Sequence, residues 1–332
     1  MKILLTGHTG FKGAWLTVML KILGHEVHGI SNEVLPNSMY LTSNVAKYIS
    51  SSTFIDIRNQ SDLTKTVKKI DPEVVVHFAA QSLVINSFEM PLETYQINVM
   101  GTLNLLESCR TLENLKATLV ITSDKVYKNI NKDSGYIEAD ALGGTDPYSS
   151  SKAAADIATQ SWRECFGQTP IAIARSGNVI GGGDWSRNRL VPDTVRSILN
   201  CDALVIRNPL AVRPWQHVLD CLHGYIKLID SQVSRGTQSE WNFGPNNQSN
   251  KNVNDFLKEF ENCWKTEINI INNKSPYKET GRLILDSSKA RKHLAWYEKL
   301  NFEQTISWTV DWYKKMNSDN ETENQVKKFL SL

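Results

Sequence analysis

Along the first half of the chain, short apolar runs alternate with longer segments whose apolar residues recur at helical spacing. Lys2–Thr6 reads as a short buried strand, and after a glycine turn residues 11–23 carry a helical pattern. Residues 25–30 predict a second strand and 53–56 a third. A helix through Leu63 and Val67 follows and stops near Asp71-Pro72. Residues 73–78 form a β-branched run of the kind found in parallel strands covered on both faces. Residues 92–109 read as a helix, 117–122 as a strand, Pro147–Phe166 as a long helix and 171–174 as a further strand. Asp146 is placed to cap that long helix, with Pro147 in its first turn. The alternation predicts an α/β fold, a Rossmann doubly wound parallel sheet.

After about Gly181 the rhythm breaks. The stretches GGGDW and RNPLAVRPW are loop-like, and helices are expected at Val253–Trp264 and 302–315. This divides the chain into a dinucleotide-binding domain over 1–180 and a smaller lobe over 181–332. That lobe is expected to be mainly substrate-binding, with some segments returning to the first domain. The polar stretch from Asn317 reads as a loosely attached helix.

Composition narrows the partners. The chain is 41% hydrophobic and 22% charged with a formal net charge of +2, so it lacks the basic footprint of a nucleic-acid binder. Its five cysteines, Cys109, Cys165, Cys201, Cys221 and Cys263, form no CxxC pair and suggest neither a metal site nor a disulfide framework. No run approaches the roughly 18 apolar residues of a membrane span. The apolar N-terminal run meets glycines too soon for a signal peptide. A soluble, cytoplasmic protein is expected.

The strongest local signal follows the first strand. Gly7-His8-Thr9-Gly10-Phe11-Lys12-Gly13 is spaced GxxGxxG before a helix. Glycines there let the backbone turn sharply and approach a pyrophosphate, whose charge sits on the helix N-terminus. The second strand ends Ser31-Asn32 with no carboxylate until Glu33, and no arginine follows closely to meet a 2′-phosphate. Ser31 or Asn32 could serve the ribose, and Asp56, followed by Ile57, could accept from the adenine amino group. Phe78-Ala79-Ala80 close the fourth strand with small residues that let the backbone run under the cofactor, while His77 beside them reads as structural. Asn98, in NVMGT, is of the helix-distorting kind and is grouped with the cofactor residues.

Tyr148 and Lys152 stand at i and i+4 early in a helix and share a face. An ammonium and a positive nicotinamide ring favour the phenolate, which can take a proton from a hydroxyl as hydride leaves the same carbon. Ser123-Asp124-Lys125 follow the fifth strand, at the sheet edge where ligands bind. Ser123 could hydrogen-bond the reacting hydroxyl, Asp124 could protonate a leaving group, and Lys125 could remove a proton α to a carbonyl.

With these motifs in place, the chain resembles the extended short-chain dehydrogenase/reductase family, and within it the dehydratases of CDP-glucose. The matching stretches include TGHTGFKGAW, HFAAQSLV, TSDKVY, LGGTDPYSSSK, ARSGNVIGGGDW and RNPLAVRPWQHV. The resemblance implies an NAD-dependent hydro-lyase that converts CDP-glucose to its 4-keto-6-deoxy derivative by internal hydride transfer. In it, Tyr148 acts at C4, Lys125 at C5 and Asp124 at C6, and Lys152 also binds the nicotinamide ribose. It implies substrate contacts from Gln81, Ser82, Asn178, Arg189, Arg213 and His217, with the arginines on the diphosphate. Relatives feed deoxysugars of bacterial surface polysaccharide and associate as homodimers or homotetramers through paired helices. Where relatives carry Arg after AAQPLV, this chain has Ile85-Asn86. Another dehydratase, epimerase or reductase of nucleotide-sugars, or a non-catalytic dinucleotide sensor, stands as the alternative.

Overall fold

A computed structural model describes residues 1–132, 134–273, 283–316 and 320–332. Among them, seven parallel strands form one sheet: β1 (Lys2–Thr6), β2 (Glu26–Ser31), β3 (Ser51–Phe54), β4 (Val74–His77), β5 (Ala117–Ile121), β6 (Ile171–Ser176) and β7 (Ser239–Phe243), in the order β7-β6-β5-β4-β1-β2-β3. The order reverses between β1 and β4, which opens a crevice at their carboxyl ends.

The apolar runs form strands because both faces are covered. Ile3 and Leu5 of β1 and Val74 and Val76 of β4 join one core cluster, while Leu4 and Val75 join the other. This is the two-residue alternation of a strand with a helix layer on each side. The longer helices are α1 (Phe11–Ile22), α2 (Gln60–Ile70), α3 (Gly101–Cys109), α4 (Pro147–Phe166), α5 (Leu190–Asn200), α6 (Val218–Arg235), α7 (Val253–Trp264), α8 (Phe302–Lys314) and α9 (Glu321–Ser331). α4 starts where its sequence says it should: the Asp146 carboxylate accepts from the Ser149 N–H at 2.9 Å, and Pro147 occupies the first turn.

Two expectations are corrected, and the segment that returns to the sheet is located. The helix expected over 92–109 is built in three parts, Pro91–Tyr95, a π-helical turn Gln96–Met100, and α3. The wide turn carries Asn98 inward to the loop after β4. The sheet also receives a seventh strand from the second half, because α6 packs on β5 and β6 and delivers β7 beside β6. Finally, the C-terminal segment is firmly seated: Val326 and Phe329 of α9 are fully buried, and α9 packs on α1.

Short strand pairs fold the second half over the crevice. Val179–Ile180 pairs with Gln216–His217, Val212–Pro214 with Asn250–Asn252, and Leu204–Ile206 with Ile270–Asn272.

Candidate active site

The carboxyl ends of the strands open into one cleft of about 2020 Å³, lined by Gly7, Ile55, Phe78, Thr122 and Gly177 on the sheet side and by Asn178, Arg189, Arg207 and Arg213 on the other. The glycine loop is built for close backbone approach, the geometry a pyrophosphate site requires. Gly7 has φ +75°, and a Cβ there would lie 2.8 Å from the Ala79 nitrogen. A Cβ on Gly13 would lie 2.2 Å from the Gly7 carbonyl oxygen. Only bare backbone lets strand, turn and helix come this close. The N-terminus of α1 is capped by Gly10 with no side-chain acceptor, so its dipole faces the cleft unopposed. Thr9 ties the loop to the Glu33 carbonyl at 2.8 Å, and Phe11 and Lys12 line the floor.

The ribose candidates separate. Ser31 is buried with its hydroxyl bonded to His8 Nδ1 (3.0 Å) and to the Thr9 N–H (3.3 Å), so its role is to hold the loop. Asn32 is exposed on the cleft wall. Asp56 lines the cleft with its carboxylate already on Arg58, at 2.8 Å from Nε, which holds that carboxyl below its usual range. Arg58 also reaches Glu93 at 3.0 Å, so this arginine, which the sequence reading passed over, is matched by two carboxylates. Ile57 is buried beneath, in space that only Gly101 leaves: a Cβ there would come 2.4 Å from its Cδ1.

Phe78, Ala79 and Ala80 run along the cleft floor, Ala79 donating to Thr6 Oγ1 at 3.3 Å. Asn98 is corrected from a cofactor contact to a brace. It is buried, accepts from the Gln81 N–H (2.9 Å), and donates to the Gln81 carbonyl (3.0 Å) and Ser151 Oγ (2.9 Å). It thereby locks the loop after β4 to the helix that carries Tyr148. Gln81 lines the cleft, but its amide folds its own loop, on Leu83 and Thr94. His77 bridges Thr6 (2.6 Å) and Thr102 (3.0 Å), and burial pushes its pKa to about 3, which fits a neutral structural histidine.

Tyr148 and Lys152 both line the cleft from α4. The Tyr148 N–H donates to Ser87 Oγ at 3.1 Å, fixing the first turn. Lys152 is 7% exposed, donates to the Ile121 carbonyl at 3.3 Å, and has its pKa pushed down to about 8 by burial and then by Lys12. Two residues the sequence reading passed over anchor α4: Arg175 on β6, fully buried, holds Asp156 through Nε (2.8 Å) and Nη2 (2.7 Å). That is a bidentate pair between helix and sheet, and it fixes the helix's rotation.

After β5, Ser123 caps a short 3₁₀ turn and donates to Asp124 Oδ1 at 2.9 Å; Lys125 Nζ lies 3.2 Å from the same oxygen. Asp124 is 1% exposed, and its Oδ2 is buried with no hydrogen-bond partner. The Ser123 hydroxyl proton is therefore directed at Asp124, and the unpartnered oxygen is sealed beside Gly177, where a Cβ would lie 2.9 Å from it.

On the opposite wall, Arg189 pairs with Asp184 at 3.0 Å and reaches Ser82 at 3.4 Å across the cleft. Arg213 lines the cleft with its guanidinium on the Val212 carbonyl (3.0 Å), and Asn178 lines it with its carbonyl accepting from Gln216. His217 is corrected: it is fully buried away from the cleft, caps α6 through Nδ1 to the Leu219 N–H (3.2 Å), and packs edge-on to Trp15 and Trp308.

A seven-stranded parallel sheet with a glycine loop at its switch point, a Tyr-x-x-x-Lys helix and an Asp–Lys pair after β5 defines a dinucleotide-dependent enzyme of the extended short-chain dehydrogenase/reductase class. Residues 4–309 match the model of the GDP-mannose 4,6 dehydratase family, and the chain belongs to that family. It is 38% identical over 326 residues to a CDP-glucose 4,6-dehydratase of Salmonella typhimurium, covering 94% of this chain and 90% of that protein. The crystal structure of a dTDP-glucose 4,6-dehydratase from Bacillus anthracis in complex with NAD superposes with a TM-score of 0.79 at 27% identity, covering 95% of this chain and 97% of that one. A UDP-glucose 4-epimerase from Thermotoga maritima shares the fold with a TM-score of 0.85 at 21% identity, over 95% of this chain and 99% of its own.

Proposed function

We propose that the protein is an NAD-dependent CDP-glucose 4,6-dehydratase that forms the 4-keto-6-deoxy sugar nucleotide and water. The observation that carries this reading is Asp124, buried with one oxygen on Lys125 and the other unpartnered, in the same cleft as Tyr148 and Lys152. Oxidation at C4 alone needs only the Tyr–Lys couple, whereas loss of water needs an added acid and base. The likeness to the Salmonella typhimurium dehydratase supports the cytidine nucleotide. NAD is supported by the balance at Arg58, whose charge Asp56 and Glu93 already meet.

The coenzyme, when bound, supplies a hydride acceptor for C4 and returns that hydride to C6. Tyr148, as phenolate beside the Lys152 ammonium, accepts the C4 hydroxyl proton. The 4-ketone acidifies C5–H, and Lys125 as amine takes that proton while Asp124 as acid gives one to the departing C6 hydroxyl. The reactive form of this pair is the ion pair with one proton moved from Lys125 to Asp124. Lys125 then returns its proton to C5. The proton gained by Tyr148 balances the one spent by Asp124, and one water leaves per turnover. We assign Gly7, Gly10, Phe11 and Gly13 to the pyrophosphate, Asn32 and Asp56 to the adenosine end, and Ser82, Asn178, Arg189 and Arg213 to the sugar nucleotide. Residues 1–180 hold chiefly the coenzyme and 181–332 chiefly the substrate. Five free cysteines fit a reducing cytoplasm.

We also propose a homodimer through the helices after β4 and α4. Leu92 (78% exposed), Met100 and Ile157 present apolar surface there. Leu92→Glu with Ile157→Glu should give a monomer in sedimentation.

Incubation with the CDP-, dTDP-, UDP- and GDP-glucoses, read by mass, tests the function. Loss of one water from CDP-glucose is expected; no loss from any of the four sinks the assignment.

A further inference from the structure

Lys12 sits inside the glycine loop, yet its ammonium does not stay with the loop. It crosses to the carboxyl end of β6 and donates to Ser176 Oγ at 2.7 Å. Ser176 in turn shares a 2.7 Å hydrogen bond with the buried Tyr225 hydroxyl, and the ammonium lies 5.8 Å from the Tyr225 ring centroid. Among the described residues no carboxylate comes within ion-pair distance of it. An apolar side chain would fill this floor without the cost of desolvating a charge. An unmatched ammonium retained at the bottom of a cleft therefore has an electrostatic task.

The groups facing Lys12 are Cys221 and Tyr225 of α6, Arg189, Asp124 and Lys125. Those facing Lys152 are Lys12, Asp156 of its own helix and His77 of β4. Lys12 and Lys152 thus place two positive charges in one cleft, with Asp124 set against the first and Asp156 against the second. Burial holds the Lys12 ammonium below its usual range, and Lys12 in turn helps depress Lys152.

We propose that Lys12 is a positioning residue for the oxidation step: its ammonium, pinned on Ser176 at the end of β6 while Lys152 is held on Ile121 at the end of the neighbouring β5, adds a further fixed positive charge to the cleft and biases the site toward the uncharged, reduced nicotinamide. This rests on the dehydratase reading only in needing a nicotinamide within reach of Tyr148. Taking up hydride neutralises the ring, so a nearby cation favours the reduced state.

The test compares Lys12→Met and Lys12→Arg with the parent protein, each loaded with NAD. The readout uses no sugar: the reduced fraction of bound coenzyme, from its near-ultraviolet absorbance, at equilibrium with an external redox couple of known potential. Lys12→Met should lower the bound reduced-to-oxidised ratio about tenfold. Lys12→Arg should restore it. An unchanged ratio in Lys12→Met, even with weaker NAD binding, overturns the proposal and leaves Lys12 a mere anchor. Should Lys12→Met not fold, Ser176→Ala releases the ammonium without removing it, and an unmoved ratio there overturns it equally. Because the ratio is read without substrate, a parent protein that dehydrates nothing refutes the dehydratase reading and leaves this inference standing or falling alone.

Discussion

Lys125 Nζ lies 3.2 Å from Oδ1 of Asp124, while Oδ2 of the same carboxylate is buried with no hydrogen-bond partner. One oxygen is thus tied to Lys125 and the other has no donor of its own, and in the proposed reaction this carboxyl is the acid for the departing hydroxyl. Asp124→Asn keeps the shape but cannot deliver a proton, so dehydration should fall about 10²–10⁴-fold. Oxidation at C4 should survive, seen as a rise in reduced-coenzyme absorbance on adding substrate. Lys125→Met should additionally abolish exchange of the C5 hydrogen with deuterated solvent. Full dehydration by either variant would remove the pair from the chemistry.

Lys152 carries a cost in stability. Its folded pKa is about 8 against an ordinary value of 10.5, with burial the largest cause and Lys12 the next. Below pH 8 the ammonium is present in both states and folding bears the whole desolvation penalty. Between pH 8 and 10.5 the unfolded chain binds more protons, so stability from this site rises with pH. Coenzyme-free Lys152→Met should therefore be more stable than the parent at pH 7, by up to about 3 kcal/mol. The gap should close toward pH 10.5, and turnover should collapse. A variant less stable than the parent at neutral pH would show that the ammonium is compensated in the fold.

The glycine loop gives a steric prediction. Gly13→Ala sets a Cβ 2.2 Å from the Gly7 carbonyl oxygen, and Gly7→Ala adds both a 2.8 Å contact with the Ala79 nitrogen and a left-handed φ of +75°. Neither obstacle is a flexible side chain, so α1 must move off β1. Each variant should lose NAD binding by at least about tenfold in a fluorescence titration and unfold at lower temperature. Gly24 serves as control. It has φ +83° but an open neighbourhood, so Gly24→Ala should bear backbone strain alone and bind NAD normally.

How much of this was legible in the sequence follows from what sets each feature. β1, β4 and β5 announced themselves because strands buried on both faces must be apolar throughout, and the start of α4 because Asp146-Pro147 is a local capping signal. β7 was missed since SEWNF is short and carries Glu240 and Asn242, whose partners Arg163, Tyr136 and Glu138 lie far away in sequence. The substrate contact that the resemblance implies for His217 fails because packing against Trp15 and Trp308, which lie far away in sequence, turns the ring inward. The Arg175–Asp156 brace was invisible for the same reason, since neither residue stands in a periodic pattern that reveals the other.

The polar tail was the plainest misreading, and it yields the last prediction. α9 carries charged residues on its outer face, but Val326 and Phe329 are fully buried and the helix packs on α1. Thr322 accepts from the Trp312 indole at 2.8 Å and bonds Ser43 at 2.8 Å, and Tyr48 donates to Glu323. Trp312 in turn packs under Gly182, where a Cβ would come 2.0 Å from its ring, so the tail braces the loop that leads into Asp184 and its partner Arg189. Phe329→Ala should cost about 3–5 kcal/mol, visible as a lower denaturant midpoint with an unchanged slope. Deleting residues 320–332 should also raise the KM for the sugar nucleotide, because the Arg189 wall loses its backing, while a point variant that merely destabilises the fold should leave KM unmoved below its melting temperature. A truncated chain with parental stability and KM would return the tail to a loosely attached appendage.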